Sequence, residues 1–560
     1  MSAEVGGQLE AVPVRRSLFA PDYARLLVLV LIATAIHAWL VAHTAVPARD
    51  SLGYARIALD ISDPNATGNS GEPRQRMDVV RTATQPPGYP MAVWFTEKAL
   101  RSVTTLALAE RSLLATQLAN AIAAILLVVP MYLTGRILFG RNVGFAGALL
   151  FQVLPVPARV TSDGLSEGVY LLVVTVAVML GVRAARRPTV GGFILCGLAT
   201  GASYLVRPEG LLVAIAVGLV IIVAGMSRRW QRDLALGRLV ALGVGVALVA
   251  LPYMVLIGKI TNKPTGDVIL NPLDQQTPLL WKGQPTGKTP KAGNAPLFAA
   301  WWDPTKDTGR VRTLWAFEAV GTEVLKSLHY VIGGFALFAL FAHRRQLFAP
   351  DAGLWVLLAL GALNLTLLVY LAASIGYVSE RHTVLFVMLA CVLAAAALEP
   401  LAQAIGSIPK VGWLLGPKFG PAGLLLALVV AALPYTIKPM HPHREGHRHA
   451  GQWLAANMAQ DDWLVDPFSW GEWYAGRTLY RPPVYHGNPA VTWAIIETGK
   501  ASPHSRLPQW DLANELALHG ECVYRWPAEA SPDAFSVAVY KVKNTPPPKP
   551  KKPAVPAAGG

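Results

Sequence analysis

The sequence predicts a polytopic α-helical membrane protein with about eleven transmembrane helices and a small C-terminal extracytoplasmic α/β domain. Three observations lead there. Hydrophobic residues make up 53% of the 560 positions and charged residues only 15%, far from the balance of a water-soluble domain. The apolar residues fall in runs long enough for helices, which need about 20 residues to cross the hydrocarbon core, and the runs lack the alternation of barrel strands. From Met440 onward the chain turns polar, as a domain outside the membrane does. Helices are the spanning element because lipid offers no partner to an unpaired backbone group.

In chain order, residues 1–23 are a polar cytoplasmic N-terminus carrying Arg15 and Arg16. The first apolar run, 24–46, is read as an uncleaved anchor, since Ala45-Val46-Pro47-Ala48 is a poor cleavage context and many more runs follow. An outer loop, 47–110, comes next, with amphipathic pieces at 50–60 and 86–101 that suit the membrane interface. The later runs are 111–133, 143–160, 164–182, 190–206, 209–226, 236–258, 323–342, 352–374, 380–398 and 411–436. Arg136/Arg141, Arg183/Arg186/Arg187, Arg228/Arg229/Arg232 and Arg344/Arg345 fall in alternate short loops. All four clusters belong on the cytoplasmic side by the positive-inside rule, with the N-terminus. The net charge of +15 is therefore mainly topological. No nucleic-acid module is visible, and nucleic acid is excluded as a partner.

The remaining loops face outward: Asp50, Thr161-Ser162-Asp163-Gly164, Arg207-Pro208-Glu209-Gly210, the long segment 259–322, and Ser379-Glu380-Arg381-His382. In the long segment Trp281, Trp301 and Trp302 accompany Lys263, Lys282, Lys288 and Lys291, a pairing that suits membrane anchoring or ligand contact. The transmembrane unit thus spans 24–436, and 440–543 is the soluble α/β domain. There Gln452-Trp453-Leu454-Ala455-Ala456 suits a helix, and Trp463-Leu464-Val465-Asp466 and Phe535-Ser536-Val537-Ala538-Val539-Tyr540 suit strands. The Pro/Lys-rich tail 544–560 has nothing apolar to pack and is expected to be disordered. Cys196 and Cys391 lie in apolar runs and Cys522 stands alone, so no disulfide or metal spacing is offered.

The spans carry few polar residues, His37, Gln117, Asn120 and Asn364 among them, while Asp163, Glu167, Glu209 and Glu380 collect near outer ends. An ion-coupled transporter keeps ionisable groups near the midplane. Chemistry at the outer boundary fits better. A carboxylate there can activate a hydroxyl or amine acceptor for inverting displacement at a sugar carbon. A lipid-linked phosphate leaves as a stable anion and asks for cations rather than a general acid.

Asp50 with Tyr54, the Gln85-Pro86-Pro87-Gly88-Tyr89 turn, Ser162-Asp163-Gly164 before a span, Arg207-Pro208-Glu209-Gly210, and Glu380-Arg381-His382 before a late span together resemble the GT-C superfamily. More narrowly the chain resembles bacterial glycosyltransferase family 39, related to protein mannosyltransferases and aminoarabinose transferases, over about residues 24–400. The resemblance implies a polyprenyl-phosphate sugar donor in the bilayer and an acceptor on the outer face. It maps the catalytic aspartate onto Asp50 and a second outer acid onto Asp163. Two positions depart: Ser51, where many members have a second acid, and Gln85, where many have His or Lys. Gln donates a hydrogen bond but no charge, so Arg74, Arg76, Arg81, Lys259 and Arg381 are the candidates to hold the donor phosphate. Tyr54, Gln85, Tyr89, Glu209, Glu380 and His382 are the candidates for substrate contact. No cofactor is specified, and a divalent metal is left open.

Each site has a plain structural alternative. Asp50 and Asp163 can cap the helices that follow them. Arg207 and Glu209 can neutralise each other. Pro86-Pro87-Gly88 sets a rigid turn. His441, His443, His447 and His449 can ligate a metal or be solvated. Asp466-Pro467-Phe468-Ser469-Trp470 and Trp473-Tyr474 suit an acceptor saccharide or an aromatic core. Two rival functions remain: a transporter or flippase of a lipid-linked saccharide, and a non-catalytic envelope assembly protein.

Overall fold

The structure is a computed structural model that describes residues 22–64, 75–263, 299–302, 309, 311–345, 351–407, 420–477, 491–498, 507, 509–529 and 534–543. Arg74, Trp281, Lys282, Lys288, Lys291 and the tail lie outside the described residues.

Seven described helices are long and apolar enough to cross a membrane, and nine if each of two bent pairs counts as one span. The unbroken ones are α1 (Tyr23–Ala42), α5 (Leu108–Phe139), α8 (Glu167–Arg186), α10 (Leu212–Met226, reached through a 3₁₀ turn at Pro208–Leu211), α11 (Arg232–Ile257), α14 (Ala352–Ile375) and α15 (Glu380–Gly406). Two of the eleven apolar runs are thus not continuous helices. Run 143–160 splits into α6 (Arg141–Val153) and α7 (Pro155–Ser162), bent by 67°. Leu154, extended at ψ 136°, precedes Pro155, and a residue before proline avoids the helical region. Run 323–342 splits into α12 (Arg312–Ser327) and α13 (Val331–Ala342), bent by 99° at His329 and Tyr330, both with positive φ. Helix α12 also begins inside the segment expected to be loop. Run 190–206 is α9 (Val190–Val206), and the described part of run 411–436 is α16 (Gly420–Thr436), each of 17 residues.

Between α1 and α5 the chain forms three short helices at one end of the bundle: α2 (Asp50–Ser62), α3 (Arg76–Thr82) and α4 (Gly88–Arg101). The polar residues inside the spans fasten this end. Gln152 donates through Nε2 to Ala124 O at 2.9 Å, so its Oε1 accepts from His37 Nε2 at 2.8 Å. That leaves His37 Nδ1 to accept from the Ser162 hydroxyl at 2.6 Å. Asn120 donates to Val160 O and Asp163 O at 3.0 and 2.8 Å and accepts from Gly168 N. Both side chains therefore position the turn that carries Asp163.

The C-terminal domain comprises α17 (Glu445–Asn457), α18 (Trp470–Tyr474), α19 (Trp510–His519) and four strands, β3 (Trp463–Val465), β4 (Val491–Thr498), β5 (Glu521–Trp526) and β6 (Ser536–Lys543), in the order β3-β4-β6-β5. Strand β3 runs parallel to β4 and the other pairs are antiparallel. Earlier in the chain, β1 (Ala299–Trp301) pairs antiparallel with β2 (Tyr377–Ser379). The C-terminal domain is not free-standing. Trp470, Trp473 and Leu454 share one buried cluster with Leu52, Ala55 and Leu59 of α2 and Leu113 of α5, and Trp473 Nε1 donates to Ala109 O at 3.0 Å. The aromatic segment 466–474 is thus core, and it buttresses the helix that begins with Asp50.

Candidate active site

A cavity of about 540 Å³ opens where α2, α8, α9, α14 and α15 meet, within the usual size of small-molecule sites, about 300–1,000 Å³. Its two halves differ. Asn364, Leu367, Leu368, Leu371 and Ile375 line one side, at spacings that put them on a single face of α14. Val384 and Leu385 of α15 complete this apolar wall.

The other half is ionic. Arg381 Nη1 donates to Asp50 Oδ2 at 2.5 Å, and the Asp50 side chain is 50% exposed. Arg207 Nη1 donates to Glu167 Oε1 at 2.7 Å, and its Nη2 lies 3.7 Å from Glu209 Oε1. Lys263 Nζ takes Glu209 Oε1 at 2.8 Å. Three cations therefore face three carboxylates, and each cation is already paired. The Arg381 guanidinium holds the Asp50 carboxyl below the usual carboxylate range, so Asp50 is ionised at neutral pH. Burial lowers the Lys263 ammonium, partly offset by Glu209. His382 lines the cavity too, and its Nδ1 accepts from the Ser379 amide at 3.2 Å, which leaves Nε2 as the donor of a neutral ring.

Tyr54 and Gln85 also line the cavity. Tyr54 donates to Ser166 Oγ at 3.3 Å, and burial pushes its phenol up to about 12, so it stays protonated. Tyr89 is fully buried behind it, edge-to-face at 4.7 Å, and donates to Thr116 O at 2.8 Å. Tyr89 supports the wall and is not part of it.

Asp50, Tyr54 and Gln85 border a second, more open groove of about 450 Å³, lined also by Arg49, Gly53, Arg56, Asp60 and residues of α3. Asp50 stands at the junction of the two spaces. Ser51 points elsewhere: it is fully buried, donates from Oγ to Ala48 O at 2.5 Å, and its Cβ sits where a Cβ on Gly164 would come within 2.5 Å. A side chain at position 51 thus faces the packed turn and not the cavity.

Asp163 is a clamp behind the site. It accepts from Ala48 N (2.7 Å), Gly164 N (2.8 Å) and His441 Nε2 (2.9 Å), tying the chain just before Asp50 to the entrance of the C-terminal domain. Burial by itself would push its carboxyl up, but His441, Arg444 and the Ala48 amide hold it below the usual range. Asp163→Ala leaves three donors unpaired and is expected to cost about 2 kcal/mol of stability, read as a lower Tm. With a depressed carboxyl, the clamp's contribution is present at neutral pH and lost as pH falls below roughly 4.

The other expected contacts lie elsewhere. Arg76 stacks over Trp94 at 5.6 Å, Arg81 receives Asn262 through its carbonyl, and Lys259 is exposed; none of these three lines the cavity. Glu380 is buried in the field of Glu323, Lys326 and Arg159, away from the cavity wall. Of the five proposed phosphate ligands the structure brings Arg381 to the cavity, together with Arg207, Lys263 and Glu167, which the motif reading did not assign there. The Arg-Pro-Glu-Gly turn was the available signal. Glu209, a candidate for substrate contact, does line the cavity, and the main partners of Arg207 and Glu209 are Glu167 of α8 and Lys263.

Among the described residues no three His, Cys, Asp or Glu side chains converge as a metal site. His441 binds Asp163, His447 binds Glu497 at 2.9 Å, and His449 stacks on Trp526. The cavity carboxylates Asp50, Glu167 and Glu209 are each engaged by a cation.

Residues 85–255 match the family model described as dolichyl-phosphate-mannose-protein mannosyltransferase. No match was found among curated proteins. Among solved structures, the Archaeoglobus fulgidus oligosaccharyltransferase AglB in complex with an inhibitory peptide and a dolichol-phosphate is 12% identical over 93% of this chain and 74% of its own, with a TM-score of 0.55. The apo enzyme of that organism is 12% identical over 83% of this chain, with a TM-score of 0.51, and this chain spans 65% of its length. ArnT from Cupriavidus metallidurans bound to undecaprenyl phosphate is 13% identical over 92% of this chain and 98% of its own, with a TM-score of 0.49. The chain has the GT-C fold, and the segment that matches the family model, residues 85–255, includes the cavity-lining residues from Gln85 to Glu209.

Proposed function

We propose that the protein transfers a monosaccharide from a polyprenyl-phosphate donor to an acceptor on the extracytoplasmic face of a bacterial inner membrane, with inversion and with Asp50 as general base. The observation that carries this reading is the position of Asp50, between an amphipathic cavity and an open polar groove. The lipid chain runs along the apolar face of α14, and the phosphate enters among Arg207, Lys263 and Arg381. Because these cations start out paired, an incoming phosphate competes with carboxylates for them. Arg381 turning to the phosphate frees Asp50 as the base. The acceptor hydroxyl or amine then attacks the anomeric carbon, its proton passes to Asp50, and the bond to the phosphate oxygen breaks. The leaving phosphate stays with the cations.

On this reading the acceptor arrives by the groove. Gly53 borders the groove but not the cavity, and a Cβ there would meet nothing within 4 Å. Gly53→Trp is therefore expected to raise the acceptor KM at least about tenfold, by excluding well-placed contacts, with the donor KM unchanged. Gly53→Ala, small and better suited to a helix, should leave both near normal. Transfer of radiolabelled sugar from a polyprenyl-phosphate donor by the purified full chain tests the proposal as a whole. Translocation of the donor without transfer would support the flippase instead.

A further inference from the structure

At the opposite end of the same helices lies a second cavity of about 940 Å³, between the last turns of α8 and α10 and the first turn of α14. With 20 residues in α8, it stands roughly 30 Å from the site just described. Its back is closed by Val220 and Ala224, which are buried, but Leu219, Val223 and Trp355 on its side are 43%, 60% and 44% exposed. The cavity thus opens sideways, on a flank of apolar helices that lipid covers.

Its rim is basic. Arg186 contributes no net charge, since it is bound to Asp351 and to the carbonyls of Ile137 and Leu138. Arg229 is different: it is exposed on the turn after α10, next to Arg228, which adopts φ +56°. Behind Trp230, which lines the cavity, the Arg238 guanidinium lies 4.4 Å from the ring, and its Nη1 is buried without a hydrogen-bond partner among the described residues. An acid follows this turn in sequence, Asp233, exposed in the first turn of α11. An apolar slot open to lipid, with an excess of arginine at its mouth, matches one ligand chemistry: a phosphate headgroup with an acyl chain attached.

We propose that this cavity binds an anionic glycerophospholipid from the leaflet at that end, with its headgroup at Arg229 and an acyl chain against Val223 and Trp355. A free phosphate would leave the apolar slot unfilled, and a zwitterionic lipid would gain little from the arginines. The proposal is independent of the glycosyl-transfer reading and uses none of its residues.

The test is native mass spectrometry and thermal unfolding of the full chain in detergent, with phosphatidylglycerol, phosphatidylcholine, a polyprenyl phosphate or inorganic phosphate added separately. Phosphatidylglycerol should be retained and raise Tm. One surface arginine is worth roughly fivefold in affinity for an anionic lipid, so Arg229→Glu should weaken retention by more than about tenfold, and Arg229→Lys should keep most of it. Val223→Trp, at an exposed position, fills the side opening without changing charge and should also release the lipid. Equal retention of phosphatidylcholine, an equal Tm rise with inorganic phosphate, preferential binding of the polyprenyl phosphate at this end, or undiminished retention in both Arg229→Glu and Val223→Trp would each overturn the proposal.

Discussion

Asp50→Asn is expected to lower kcat by about 10²–10⁴-fold, the usual worth of a positioned general base, while donor binding stays close to normal. Asn has the shape of Asp and still offers Oδ1 to Arg381, so the pair that closes at 2.5 Å can persist as a neutral-acceptor bond. What it lacks is a site for the acceptor's proton. Asp50→Glu keeps the carboxylate but moves it by one methylene and should fall between the two. The measurement is single-turnover transfer of labelled sugar alongside donor binding. Normal transfer by Asp50→Asn would sink the catalytic assignment.

Arg381→Ala should raise the donor KM by about 10- to 100-fold, the range expected for losing one hydrogen bond between charged groups. It has a second, separable consequence for pH. In the resting protein Arg381 depresses the Asp50 carboxyl, so the acid limb of kcat/KM should lie below the ordinary carboxylate value of about 4. Removing the guanidinium relaxes that carboxyl, so the limb moves up in pH. If donor phosphate draws Arg381 away in the wild type, the limb of kcat, which reports the bound complex, should likewise lie above that of kcat/KM. Arg381→Lys retains charge but not the planar fork and should restore only part of the donor affinity. An unchanged donor KM in Arg381→Ala would remove Arg381 from the phosphate site.

These two residues show how far a linear reading reaches. Asp50 is visible because it stands where an apolar run ends, and Arg381 because it opens a late one. That both lie at the same end of the bundle follows from counting spans and arginine clusters. Their contact, across 331 positions, does not follow from any local pattern. Asp163 was equally visible as an acid before a span, but its function as a clamp depends on Ala48 and His441, which are remote in sequence. Arg76, Arg81 and Lys259 were reasonable by charge and by side. They fall away because α3 and the end of α11 present them to Trp94 or to the surface instead of to the cavity.

The sequence by itself determined the class of protein: apolar runs, helical spans, one polar end rich in carboxylates, and a polar domain at the C-terminus. It could do so because each span satisfies its backbone internally, so hydropathy and flanking charge act locally. Only the tertiary structure decided which cations meet which acids, that Ser51 faces a packed turn, that two runs are sharply bent, and that the C-terminal domain braces the Asp50 helix. Those features depend on side chains from distant segments converging in a partly buried space. There a pair forms only where packing brings both partners within about 3 Å, and no one-dimensional spacing encodes that distance.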